Sequence, residues 1–143
     1  MKSFISNQAG RTFILRMERG DLLREALTKL ARTEGIKNAV VVSGIATFDK
    51  AHLQMATTYG YPIEYKVHQL EQPLEVTGVS GTIINYEPHI HAVVSNADQT
   101  WAGHLLDGCR ILYLGEVVIQ ELLGADFFRR PNENGVLLID TKS

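Results

Sequence analysis

Cysteine occurs once in the 143 residues, at Cys109, so no disulfide can close within the chain and no cysteine-built zinc site is available. Any metal must be taken by histidine and carboxylate. Proline is scarce, with single residues at positions 62, 73, 88 and 131, and no linker, repeat or low-complexity tract interrupts the chain. One domain over residues 1–143 is expected. Long apolar runs are missing: nothing approaches the roughly 18–20 residues of a membrane helix. Met1-Lys2-Ser3-Phe4-Ile5-Ser6-Asn7 lacks the apolar stretch of a signal peptide. The expectation is a cytoplasmic protein with no membrane partner. An excess of positive charge is also absent, since 14 Lys and Arg stand against 16 Asp and Glu for a net charge of −2. That balance excludes a strongly basic nucleic-acid-binding surface. The average hides an asymmetry, because residues 1–37 carry eight basic and four acidic groups. A basic patch there leaves weak DNA binding as an expectation to test.

What is present is ordinary globular material, 45% hydrophobic and 21% charged. Asp21 is a candidate N-cap, and Leu22, Leu23, Ala26, Leu27, Leu30 and Ala31 then recur at helical spacing, predicting one amphipathic helix over about 21–34. Glu25 and Lys29 stand in the right order for an i,i+4 pair, and Gly35 can close the helix. Strands are predicted at 11–18, 39–43, 52–58, 63–70, 74–85, 89–95, 100–106, 111–122 and 136–140. They are separated by turn residues such as Gly44, Gly60-Tyr61-Pro62, Glu71-Gln72-Pro73, Asn96-Ala97-Asp98 and Asn134-Gly135. Short connections imply mostly antiparallel pairing. The predicted class is α+β, a mostly antiparallel sheet packed by one main helix.

Three of the five histidines fall within sixteen residues: His89 and His91 flank Ile90, and His104 follows Gly103. Alternation along a strand puts His89 and His91 on one face and Ile90, Ala92 and Val94 on the other. Where His104 goes depends on the hairpin. A three-residue loop would set it opposite Ile90 and drive its ring among apolar side chains. The four-residue loop Asn96–Gln99 sets it opposite His91 and leaves Ile90, Ala92, Val94, Trp101, Gly103 and Leu105 together on a clean apolar face. The second register is the expected one. Directly opposed residues have β-carbons about 4.5–5.5 Å apart, close enough for imidazoles to share one ion. Three neutral imidazoles leave a coordination position open, able to activate water or bind an anion. Spacing alone leaves two readings, a metal site and a polar sheet face. Glu75, Glu87, Asp107 and Glu116 are candidate supporting acids or bases, each also explicable as a surface acid.

Other candidates carry less. His52 and His68 are lone strand histidines, Cys109 has no accompanying Cys-His motif, and Ser43-Gly44 lacks the flanking glycines of a nucleophile elbow. Gly78-Val79-Ser80-Gly81 lacks the spacing of a phosphate loop. Arg129-Arg130-Pro131 reads as a short basic turn.

Four stretches in order carry a resemblance: Arg19-Gly20-Asp21-Leu22, then Leu74 to Ile83 with Glu75, Ser80 and Gly81, then Pro88-His89-Ile90-His91, then Gly103-His104-Leu105 on to Gly115-Glu116-Val117-Val118-Ile119. In these residues the chain resembles the PPC domain, a family conserved between plants and prokaryotes. Ala102 departs from the family, which commonly has two glycines before the third histidine. The resemblance implies an α+β fold, a homotrimer, and a divalent metal, typically zinc, on His89, His91 and His104. It also carries a DNA-binding label from plant members whose AT-hook, an Arg-Gly-Arg-Pro core, is absent from this chain. The leading expectation is thus a small trimeric metal-binding protein of unassigned role. The alternative is a metal-dependent hydrolase or lyase acting on a small-molecule ligand, with Glu75 or Glu116 as base.

Overall fold

A computed structural model describes residues 1–124 and 126–142. Nine elements follow one another: β1 (Gln8–Glu18), α1 (Leu23–Thr33), β2 (Asn38–Ala56), β3 (Tyr65–Ile84), β4 (Glu87–Ser95), β5 (Thr100–Leu105), β6 (Arg110–Leu123), β7 (Phe127–Pro131) and β8 (Leu137–Thr141). The first six strands form one antiparallel sheet in the order β1-β6-β2-β3-β4-β5. The far end of β2 also pairs with β5, through Leu53 opposite Leu105 and Gln54 opposite His104, so β2, β3, β4 and β5 close on themselves. Inside that closure lie Leu53, Ile90, Val94 and Leu105, all fully buried. The predicted class holds.

Two pairs of predicted strands are in fact single long strands. The segments 39–43 and 52–58 belong to β2, and 63–70 and 74–85 belong to β3, so neither Gly44 nor Glu71-Gln72-Pro73 makes a turn. The reason lies in bulges. Phe48 pairs with Leu74 and Lys50 with Glu71, leaving an extra residue on β3 at Gln72-Pro73, where a proline without an N–H costs no ladder bond. Gly44 serves close packing, since a β-carbon there would lie 2.6 Å from Cβ of Val79.

The helix buries Leu23, Leu27 and Ala31. Its N-terminus differs from expectation: Leu22, not Asp21, is the N-cap, with no side-chain cap. The strand start supplies the partner instead, because the Leu23 N–H donates to the Cys109 carbonyl at 3.0 Å and Leu22 bridges to Arg110. Asp21 turns back to accept from the Glu18 N–H. Glu25 likewise accepts from the Gly108 N–H at 2.8 Å. At the other end Gly35, at φ +69°, lets the Ile36 N–H reach the Ala31 carbonyl at 2.8 Å, a Schellman closure. Arg129-Arg130-Pro131 is not a turn. It lies in β7, which pairs with β8 as a separate hairpin, and Asn132 organises the connection by accepting from Asn134 and Val136.

Candidate metal centre

The turn between β4 and β5 sets the geometry of the site. Ser95 pairs with Thr100, and the Asn96 carboxamide oxygen accepts from the Asp98 and Gln99 N–H groups at 2.9 and 2.8 Å, so the loop has the four residues Asn96–Gln99. His91 consequently stands opposite His104. The pairing continues on both sides: Ser80 of β3 faces His91, and Gln54 of β2 faces His104. A row of Ser80, His91, His104 and Gln54 therefore crosses four strands on one face. His89, two residues before His91, has Thr82 opposite it.

The three rings converge. Ring centroids are 4.6 Å apart for His89 and His104, 5.3 Å for His91 and His104, and 5.4 Å for His89 and His91. One nitrogen from each ring can be chosen so that all three lie within 4.8 Å of one another. Nε2 of His91 and Nε2 of His89 face each other at 3.3 Å. Two nitrogens at about 2.0–2.1 Å from a tetrahedral zinc ion stand about 3.3–3.4 Å apart, so this pair fits a shared ion. Nδ1 of His104 is buried with no hydrogen-bond partner among the described residues. Burial holds His89 well below the ordinary imidazole value, at about 4, assisted by the charges of His104, Arg129, His91 and Arg24. His104 is lowered too, by burial first and then by His91, Arg24 and Arg129. Both rings are neutral near pH 7, the form that ligates a metal. The donor set fits a divalent cation.

An open pocket of about 630 Å³ adjoins the triad, walled by Gln54, Ile63 and Tyr65 on one side and by Asn134, Gly135 and Leu137 of the β7–β8 hairpin on the other. The guanidinium of Arg129 stands beside the triad, its Nη2 donating to the Thr82 hydroxyl at 3.0 Å. Sequence reasoning placed Arg129 in a turn and missed this position; only the arginine doublet marks it. The candidate acids go elsewhere. Glu75 lies opposite Ser95 and lines a separate pocket with Thr47 and Tyr113. Ser95 is four residues along β4 from His91, about 14 Å at strand rise. Glu116 sits on β6 opposite Arg16 and Ile45, and β6 borders neither β4 nor β5. Glu87 pairs with Arg32, and Asp107 with Arg24. His52 holds the Asp107 carbonyl through Nδ1 at 2.9 Å. Cys109 is buried, with its thiol pushed up to about 11 by desolvation, and is inert.

Comparison with known proteins agrees with this architecture. A metal-containing protein from Archaeoglobus fulgidus superposes with a TM-score of 0.83 at 26% identity, covering 96% of this chain and 98% of that one. A plant- and prokaryote-conserved protein from Pyrococcus horikoshii gives 0.80 at 26% identity over 95% of both. A candidate DNA-binding protein from Bacteroides thetaiotaomicron gives 0.78 at 20% identity, covering 93% and 96%, which shows a shared fold. Among curated relatives, a bifunctional GlmU protein from Synechococcus sp. is 32% identical over 119 residues, 82% of this chain. That match is 18% of the relative's own length, so the chain spans about a fifth of it. The family model of the Plants and Prokaryotes Conserved (PCC) domain matches residues 5–123, which take in the sheet and all three converging histidines, and the chain belongs to that family.

Proposed function

We propose that His89, His91 and His104 bind one divalent metal ion, with zinc the preferred ion, and that this is the protein's functional centre. The carrying observation is the convergence of three imidazoles across a fixed strand pairing, with two nitrogens at 3.3 Å. The metal-containing relative from Archaeoglobus fulgidus supports the reading. Zinc held this way supplies Lewis acidity at an open coordination position. The chain's own part is to keep His89 and His104 neutral by burial and to shape the pocket beside the triad.

That pocket favours a second reading on the same site, metal-assisted hydrolysis or lyase chemistry on a small molecule. The proposal also includes a homotrimer. Exposed Ile14, Val42, Ile45, Tyr113 and Leu114 lie on the adjacent strands β1, β2 and β6, an apolar surface suited to self-association. DNA association is retained only as weak, salt-sensitive binding. Of the eight basic residues in the first 37, Arg11, Arg16, Arg24, Arg32 and Lys37 are already ion-paired with acids of the same chain. No helix is long and apolar enough to cross a membrane.

Metal analysis of protein purified without chelator tests the main claim. About one zinc per chain is expected, and none in the triple variant His89→Ala, His91→Ala, His104→Ala; equal metal in both would sink it. Light scattering that returns the mass of a single chain would remove the trimer.

A further inference from the structure

Resting on the metal reading, we propose that the pocket at the triad takes a small oxyanion, a carboxylate or phosphate group, and that Arg129 selects for its charge. Arg129 is placed there by two pairings. Thr82 stands opposite His89 on neighbouring strands, so the two side chains share a face, and Nη2 of Arg129 is hydrogen-bonded to the Thr82 hydroxyl at 3.0 Å. The guanidinium is therefore tied to the strand neighbour of His89, near enough for its charge to reach His89 and His104.

The charge of Arg129 has no internal answer. Among the described residues no carboxylate pairs with it, and its Nε–H is buried without a hydrogen-bond partner. Its neighbour Arg130 shows the contrast: more exposed, it holds Asp140 at 2.6 Å. Arg24, the other arginine whose field reaches the triad, also has a buried Nε–H without a partner among the described residues, but its charge is answered by Asp107. A partly desolvated guanidinium without a counter-ion is costly, and a planar fork of N–H donors is matched by carboxylate and phosphate oxygens. Beyond the effect of burial, its charge also lowers His89 and His104.

The same hairpin that carries Arg129 walls the pocket, through Asn134, Gly135 and Leu137 at and after its tip. It lies beyond residues 5–123, the segment matched by the family model. One hairpin therefore carries both Arg129 and part of the pocket wall. A divalent cation on the three imidazoles would add positive charge near Arg129, and an anionic ligand answers both.

Cobalt(II)-loaded protein tests this through its visible spectrum, with acetate, methylphosphonate and the neutral isostere acetamide as probes. Saturable changes are expected with acetate or methylphosphonate and not with acetamide, and the relative affinities of the two anions separate carboxylate from phosphate. Arg129→Gln should weaken the anion about tenfold or more while cobalt affinity stays the same. Arg129→Lys should recover part of the loss, and Arg130→Gln should change nothing. Equal anion affinity in Arg129→Gln, or acetamide binding as well as acetate, overturns the proposal and leaves the metal site standing. Failure of cobalt to bind at all overturns both. Should Arg129→Gln fold poorly, the lysine variant and the acetate-to-acetamide ratio of the unaltered protein decide the matter.

Discussion

Two polar clusters sit on the same sheet and are built on opposite terms. At the β1–β6 edge, Glu121 is nearly buried, yet its carboxylate is fully used: Oε2 accepts from the Arg11 backbone N–H and from Nε, each at 3.1 Å, and Oε1 accepts from Nη2 at 3.3 Å. Arg11 also caps the helix end through the Glu34 carbonyl at 2.9 Å. At the β4–β5 hairpin, three imidazoles approach one another, and among the described residues one buried ring nitrogen has no partner and the Arg129 guanidinium has no acid. The first cluster closes its own hydrogen bonds and fastens β1 to β6 and to α1. The second is left incomplete by the chain itself. Buried polar groups are normally satisfied, and here the unpartnered nitrogen of His104 coincides with converging rings and an open pocket, a combination that the Glu121 cluster lacks.

Crossed substitutions give the largest effects and could break the contrast outright. His104→Ala should weaken zinc more than about 100-fold, since removing mere outer partners of a ligand already costs about 10–100-fold. Its metal-free stability should stay within about 0.5 kcal/mol of the parent, because a partly buried side chain with an unsatisfied nitrogen is lost. Glu121→Ala should do the reverse, lowering the melting midpoint by several degrees and leaving zinc affinity unchanged. Zinc titration and thermal melts on both variants check this. Loss of zinc in Glu121→Ala, or collapse of His104→Ala, would mean that the two clusters are not separate.

Each cluster also has a glycine that keeps it open, and these sharpen the comparison with smaller effects. A β-carbon on Gly103 would lie 2.6 Å from the Gln54 carbonyl oxygen, which is backbone of β2. Gly103→Ala must therefore part β5 from β2 beside His104, and zinc affinity should fall about tenfold, comparable to losing a supporting contact. A β-carbon on Gly10 would lie 2.6 Å from Oε2 of Glu121 and 2.9 Å from its Cγ, so the side chain must shift on Arg11. Gly10→Ala should lower the midpoint by no more than Glu121→Ala does and leave zinc alone.

The parity that brings the histidines together was legible because both faces of one hairpin were patterned. Ile90, Ala92 and Val94 against Trp101 and Leu105 admit one register with a clean apolar side, and the four-residue loop follows from it. The long strands were not legible, because glycine and proline signal breaks locally and only the partner strand shows that a bulge absorbs them, as at Pro73. The helix start was misplaced for a related reason: the Leu23 N–H found its acceptor in Cys109, far away in the chain, and Asp21 was released from capping. Closure of β2 onto β5, and the return of Arg129 to Thr82, are long-range events with no local pattern to announce them. Ala102, the departure from the family's glycine pair, is exposed on β5, so its methyl meets solvent.

Acid separates the two clusters more gently, in different pH windows. In metal-free protein His89 stays neutral down to about 4, whereas the unfolded chain takes up that proton near the ordinary value of 6.5. Between those values the unfolded state binds more protons, so stability falls as pH drops from about 6.5 to about 4. Glu121 is shifted in the other sense of charge: its hydrogen bonds from Arg11 hold it below the ordinary 4.5, so the stability it lends is whole above that value and is lost on further acidification. Melts from pH 7 to pH 3 in chelator should show both slopes, reduced by solvent screening because His89 and Arg11 are partly exposed. His89→Ala should flatten the upper window and Glu121→Gln the lower. Zinc should steepen the upper window, since protons and metal compete for the same nitrogens. A single acid transition indifferent to zinc and unmoved by His89→Ala would mean that the three histidines are solvated side chains with no need of an ion.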